Sequence, residues 1–193
     1  MEQNYPIDSI KEAQTDMRRE YRNGATGVLV SGIVWIATAV IMYNSSAKQA
    51  IWALLIGGAF IHPVSTLINK VIGINESTSK DNKLVSLALE GTIFMLMTIP
   101  VAYGLSQVRV EWFFQGMLLI IGGRYLTFHT VYGNKLYWLL GGLLGASAYY
   151  LYASNTPSLV TTLTGGLIEV LFSVVLFYDF ASRKKAESAT QYS

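Results

Sequence analysis

The chain has 193 residues, 52% of them hydrophobic and 13% charged, with a net charge of +2 and a mean hydropathy of +0.39. A typical soluble domain is about 25% charged, so this composition excludes one, and with no basic stripe or recognised motif no nucleic-acid partner is expected. The absence of cysteine excludes disulfides and thiolate sites, two histidines cannot alone make a three-histidine zinc site, and no metal or cofactor is expected.

Residues 1–24 read as a polar cytoplasmic arm. Ile10, Ala13, Met17 and Tyr21 recur at helical spacing, and Asp8 or Ser9 can cap the helix. This short amphipathic helix reads either as lying on anionic lipid or as a solvated start to the first span. Six apolar stretches follow: Ala25–Asn44, Gln49–Asn69, Leu84–Ser106, Val110–Val131, Leu136–Ala153 and Pro157–Phe180. At about 1.5 Å per residue, about 20 residues cross a hydrocarbon core of about 30 Å. The expected fold is an all-α membrane protein, six transmembrane helices in an up-down bundle over residues 25–180. A cytoplasmic tail covers 181–193. Gly73–Lys83 (GINESTSKDNK) is the long polar loop; the other connections are short.

Lys11, Arg18, Arg19, Arg22, Lys70, Lys80, Lys83, Lys135, Arg183, Lys184 and Lys185 fall on one side of this bundle, against Lys48 and Arg109 on the other. The positive-inside rule then places the chain in the cytoplasmic membrane with both termini in the cytoplasm. Gly-Gly pairs recur in spans two, four and six, in LLIGGAFI (Gly57-Gly58), LIIGGRYL (Gly122-Gly123) and TLTGGLIE (Gly165-Gly166). One reading is three successive hairpin repeats; the other is the general abundance of glycine in membrane helices. Either predicts glycine-mediated helix contacts.

An ionisable group at mid-membrane costs about 2.5–3.5 kcal/mol on insertion scales, so each needs a reason. Counting along the spans puts His62, Glu90 and Arg124 about 9–12 Å inside the basic end, and Glu169 near mid-membrane. Gly58, His62, Ser65, Thr66 and Asn69 share one face of span two; Thr162, Gly165, Gly166, Glu169 and Ser173 share one face of span six. Glu111, Gln115, Gly122, Tyr125 and His129 form a polar stripe on span four, from which Arg124 points away. Pro63 and Pro100 break the backbone ladder and free carbonyls that can line a cavity. The candidate binding residues are Glu90, Arg124, Glu169, His62, Tyr125 and His129. They read either as a polar cavity for a small molecule or proton, or as a buried pair of Arg124 with Glu90 or Glu169 that fixes helix register.

The stretches GGAFIHPVSTLINKVIGI (Gly57–Ile74) and GGRYLTFHTVYG (Gly122–Gly133) resemble an uncharacterised family of small six-span bacterial membrane proteins. Pro63, Lys70, Gly122, Leu126 and Tyr132 match its pattern; His62, Arg124 and Thr127 depart from it. The resemblance implies an architecture and no mechanism. Three functions remain open: a small permease-like or solute-binding membrane protein, an intramembrane enzyme on a lipid or isoprenoid substrate, and a structural or accessory subunit. The bilayer is the expected partner, and a homo-oligomer would help six short helices enclose a solute. On this topology, reporter fusions after residue 193 and within Gly73–Lys83 should both read cytoplasmic; a periplasmic signal from either would overturn it.

Overall fold

The computed structural model describes residues 9–72 and 82–190. Asp8, one of the two expected caps, lies outside the described residues, as does the polar loop from Gly73 to Asp81. Among the described residues the chain is all-helical: α1 (Ile10–Tyr21), α2 (Ala25–Asn44), α3 (Ala47–Val71), α4 (Lys83–Ser106), α5 (Val110–Tyr132), α6 (Leu136–Ala153) and α7 (Ser158–Thr190). The boundaries have local causes. Ser9 and Glu12 form a capping box at the start of α1, and Ser46 and Asn82 cap α3 and α4 through their side chains. Between α1 and α2 the backbone turns through Arg22, Asn23 and Gly24, all at positive φ. Gly24 is required there twice over: its φ is +74°, and a Cβ would strike the Tyr132 ring and the Tyr137 hydroxyl.

The helices alternate in direction. Thr26 near the start of α2 donates to Asn69 near the end of α3, and Gln115 near the start of α5 donates to the Leu151 carbonyl near the end of α6. The most extensive packing joins α5 to α6 and α2 to α7, with α3 laid on α2 and α4 on α5. α5 also touches α7, α1 and α3, which closes the two groups into one bundle. Trp35, Phe113, Phe114, Leu118, Leu140, Leu144 and Leu176 are fully buried at its centre. α3 and α4 lie at the periphery, with Phe60, Leu67, Phe94 and Met97 facing outward. α1 does not stand apart as an arm. Ala13 and Met17 are buried, and Gln14 and Arg18 donate to the Thr130 and Tyr132 carbonyls that α5 leaves unpaired at its C-terminus.

Four helical segments are long and apolar enough to cross a membrane: Ile10–Asn44, Ala47–Val71, Lys83–Ser106 and Ser158–Arg183. α5 and α6 are not among these four. α5 carries Glu111, Gln115, Arg124 and His129, and α6 is 18 residues long with Tyr137, Tyr149, Tyr150 and Tyr152. Enclosure by its neighbours accounts for α5, since a covered helix needs less apolar surface than one facing lipid.

The two closest helix crossings are built on glycine. At α2–α7, a Cβ on Gly32 would meet Val170, and one on Gly166 would meet Ile36 Cγ1 at 2.7 Å and the Gly32 carbonyl at 3.1 Å. At α5–α6, a Cβ on Gly122 would come 2.9 Å from the Gly141 carbonyl. Each of the three Gly-Gly pairs therefore places at least one member in a helix contact, Gly57 against Val34 completing the set. The second members Gly58 and Gly123 touch nothing. Gly166→Leu and Gly122→Leu should each cost about 1–3 kcal/mol of stability in detergent, the overpacking range. Gly123→Leu should stay within about 0.5 kcal/mol. Equal losses at 122 and 123 would contradict this packing.

Candidate functional site

One face of α7 presents Thr161, Thr162, Gly165, Gly166, Glu169 and Ser173 to the interior, and all six are buried. The hydroxyls mostly turn back on their own helix: Thr162 donates to the Ser158 and Leu159 carbonyls, and Ser173 to that of Val170. Glu169 cannot do this. Its residue is 0% exposed, and the Ser31 and Tyr125 hydroxyls approach its carboxyl without closing a full hydrogen bond to either oxygen. Ser31 of α2 and Tyr125 of α5 are its polar neighbours, and Arg124 is the cation whose field reaches it. The close approach of α2 at Gly32, three residues before Trp35, seals this level of the bundle. Trp35 is itself fully buried against Gly165, with its Nε1 unpartnered, as is Thr161 Oγ1. Buried polar atoms are nearly always paired, and each one left unsatisfied costs about 1–3 kcal/mol, more if charged. Glu169 is thus the costliest side chain in the core and the one that most needs an explanation.

Arg124 is held at the α4–α5 seam. Its Nη2 donates to Thr92 Oγ1 at 3.0 Å, its Nη1 lies 3.9 Å from Met95 Sδ, and its guanidinium sits 5.1 Å from the Phe128 ring centroid. Hydroxyl, thioether and ring face replace a carboxylate as its surroundings. Among the described residues it makes no ion pair, and Glu90 is exposed on the outer flank of α4. The other residues singled out by sequence separate accordingly. Tyr125 lies in the interior, its ring 5.8 Å from Phe128 and 6.0 Å from Tyr137. His129 packs edge-on to Trp138 at 5.5 Å, with Nδ1 buried and unpartnered. His62 is exposed on α3. The structure brings Glu169, Tyr125 and the field of Arg124 together and leaves His62 and Glu90 outside. Pro63 and Pro100 are also exposed, and α3 and α4 run through them, so the carbonyls they free do not line the interior.

A second polar assembly was not read from the sequence. Asp179 Oδ2 of α7 accepts from Asn23 Nδ2 at 3.1 Å and from Asn134 Nδ2 at 2.9 Å, and Arg183 pairs with the same carboxylate. The Tyr137 hydroxyl donates to the Asn23 carbonyl at 2.6 Å, and Asn134 Oδ1 caps the Leu136 amide. Asn69 and Asn82, bonded to Thr26 and to Ala13 and Asp16, complete a ring of four buried asparagines at this end. Each sits at a helix junction. The signal was present in Asn23-Gly24 and Gly133-Asn134, which are turn dipeptides rather than span residues. This network makes most of its hydrogen bonds, Asn23 Oδ1 being the buried atom it leaves unpartnered.

The profile of a family of unknown function (DUF7010) matches residues 10–179. No curated protein and no solved structure matches the chain.

The Arg124 geometry makes a quantitative demand. In a double-mutant cycle scored by thermal stability in detergent, Arg124→Met and Thr92→Val should couple by about 0.6–2 kcal/mol, the range for intramembrane hydrogen bonds. Arg124→Met and Glu90→Gln should add within about 0.5 kcal/mol. Coupling to Glu90 instead would mean that the guanidinium reaches a carboxylate.

Proposed function

The chain belongs to this family of unknown function, so its activity has to be read from the site itself, and we propose a permease-like or solute-binding protein of the cytoplasmic membrane with its binding centre at Glu169. The observation that carries this reading is the carboxyl of Glu169, 0% exposed with both oxygens unpartnered. An intramembrane carboxyl that no fixed cation pairs takes a mobile one: a proton, a small monovalent cation or a protonated amine. Tyr125 and Ser31 supply neutral hydroxyls to orient it. Arg124, committed to Thr92, Met95 and Phe128, supplies a standing positive field that favours release.

Six spans fit this role. At about 1.5 Å per residue the 18 residues of α6 reach about 27 Å, enough for a slightly thinned core. The alternating helices collect Lys11, Arg18, Arg19, Arg22, Lys70, Lys83, Lys135 and Arg183 at one end, against Lys48 and Arg109 at the other, which supports cytoplasmic termini. An enzyme on a lipid substrate draws less support, because neither His62 nor His129 stands beside Glu169 to complete an acid–base pair.

The test is ligand-induced stabilisation of the detergent-solubilised protein. Protons (by pH), sodium, ammonium and small primary amines are titrated at constant ionic strength. A bound species at about a hundred times its Kd adds about 2.7 kcal/mol and raises the thermal midpoint. At least one should do so, and Glu169→Gln should abolish the rise. No shift with any of them, or an equal shift in Glu169→Gln, would refute the reading.

A further inference from the structure

We propose that two copies of this chain pair side by side in the membrane, with His62 on α3 of one copy against Glu90 on α4 of the other. α4 is the least covered of the membrane-length helices, and α3 follows it. Their outer surfaces are mostly what lipid accepts, such as Phe60, Leu67, Phe94 and Met97. His62 and Glu90 are the exceptions. Both are exposed, and among the described residues neither has an ion-pair or side-chain hydrogen-bond partner. A histidine and a carboxylate facing hydrocarbon each carry a cost of the kind that membrane proteins remove by pairing.

Their positions make the pairing specific. Glu90 lies seven residues into α4 from Lys83, and His62 lies seven residues before the buried Asn69 of α3, at the same end of the bundle. At about 1.5 Å per residue both are about 10 Å inside that end. Two copies inserted in the same direction therefore hold these groups at one depth. The charges are complementary: the pair can be an imidazolium–carboxylate bridge or a neutral hydrogen bond, and either satisfies both groups. A two-fold axis along the membrane normal matches His62 to Glu90 twice, because an isologous contact repeats each pair. Gly58 lies one turn from His62 on the same flank, and a Cβ there would meet nothing within the copy. That leaves room for the partner helix to approach closely, as small residues do at membrane interfaces. The Glu169 centre plays no part in this argument, so either proposal can fail alone.

The chain has no cysteine, so His62→Cys and Glu90→Cys each create a unique label. The two variants are mixed in phosphatidylcholine–phosphatidylglycerol vesicles and treated with a short thiol-specific cross-linker. The mixture should give a covalent dimer well above the yield of either variant alone. Wild-type protein, dye-labelled at its terminus and diluted in the same vesicles, should bleach in two steps. Glu90→Lys should weaken dimerisation about tenfold, in line with intramembrane pair energies. The exchange variant His62→Glu with Glu90→His should restore it. Single-step bleaching of the wild type, cross-linking confined to other faces, or cross-linking at these positions to a different protein in cells would each overturn the proposal.

Discussion

The approach of α2 to α7 at Gly32 and Gly166 governs the level of the bundle around Glu169, because Trp35 and Ser31 are placed there by how near those two backbones come. A Cβ on Gly166 would meet the Gly32 carbonyl at 3.1 Å, so no other residue lets the helices sit at this separation without displacement. That separation lets Trp35 lie against Gly165 and Ser31 reach the level of Glu169. It also withdraws the Glu169 carboxyl from both water and lipid. The α5–α6 crossing at Gly122 and Gly141 repeats the device, and it brings Tyr125, three residues on, to the other side of the same carboxyl. Glycine packing and the buried acid are parts of one arrangement.

The bundle contains two kinds of polar burial, and the difference between them separates structure from function. At one end, Asp179, Asn23, Asn134 and Tyr137 are buried or half-buried and bonded to one another, with Asn23 Oδ1 left over, and they fasten the turn after α1 to the start of α6 and the C-terminal half of α7. A largely bonded network of this kind specifies geometry at modest net cost. Glu169 has no such return. Two unpaired carboxylate oxygens cost more than any hydroxyl beside them, and an apolar residue of similar volume would remove that cost. The proposed binding role is what would account for a side chain of this cost at the centre of the bundle.

The helices were legible in the sequence because apolar length is a strong signal. α2 and α6 begin and end at the residues where hydropathy changes, α3 is two residues longer at each end, α4 and α5 are one residue longer at one end, and α7 runs ten residues past the apolar stretch, to Thr190. The capping role of Ser9 was legible too. What the sequence carried poorly was which way each face points. In a bilayer both the core and the surroundings are apolar, so a helix gives only a weak moment, and polar residues must be read singly. On α7 that reading placed Thr162, Gly165, Gly166, Glu169 and Ser173 on the buried face, where they lie. On α3 the polar face of Gly58, His62, Ser65, Thr66 and Asn69 turned only Asn69 fully inward. Arg124 was placed correctly as pointing off the α5 stripe, but its partners were not foreseeable, because a hydroxyl, a sulfur and a ring leave no charge pattern in sequence. α1 reads from sequence as a surface helix on lipid or a solvated start to the first span, because only Ala13 and Met17 of its residues are buried beside its many charges.

The central claim is that Glu169 exchanges a positively charged occupant while remaining inside the bundle. Infrared difference spectroscopy of the reconstituted protein, with Glu169→Gln as the reference for assignment, observes that carboxyl directly. The account predicts a carboxyl band that is missing in Glu169→Gln and that moves when the bathing pH or cation is changed. A Glu169 band indifferent to pH, to cations and to deuterium in the solvent would show a sealed, inert side chain and would contradict the account.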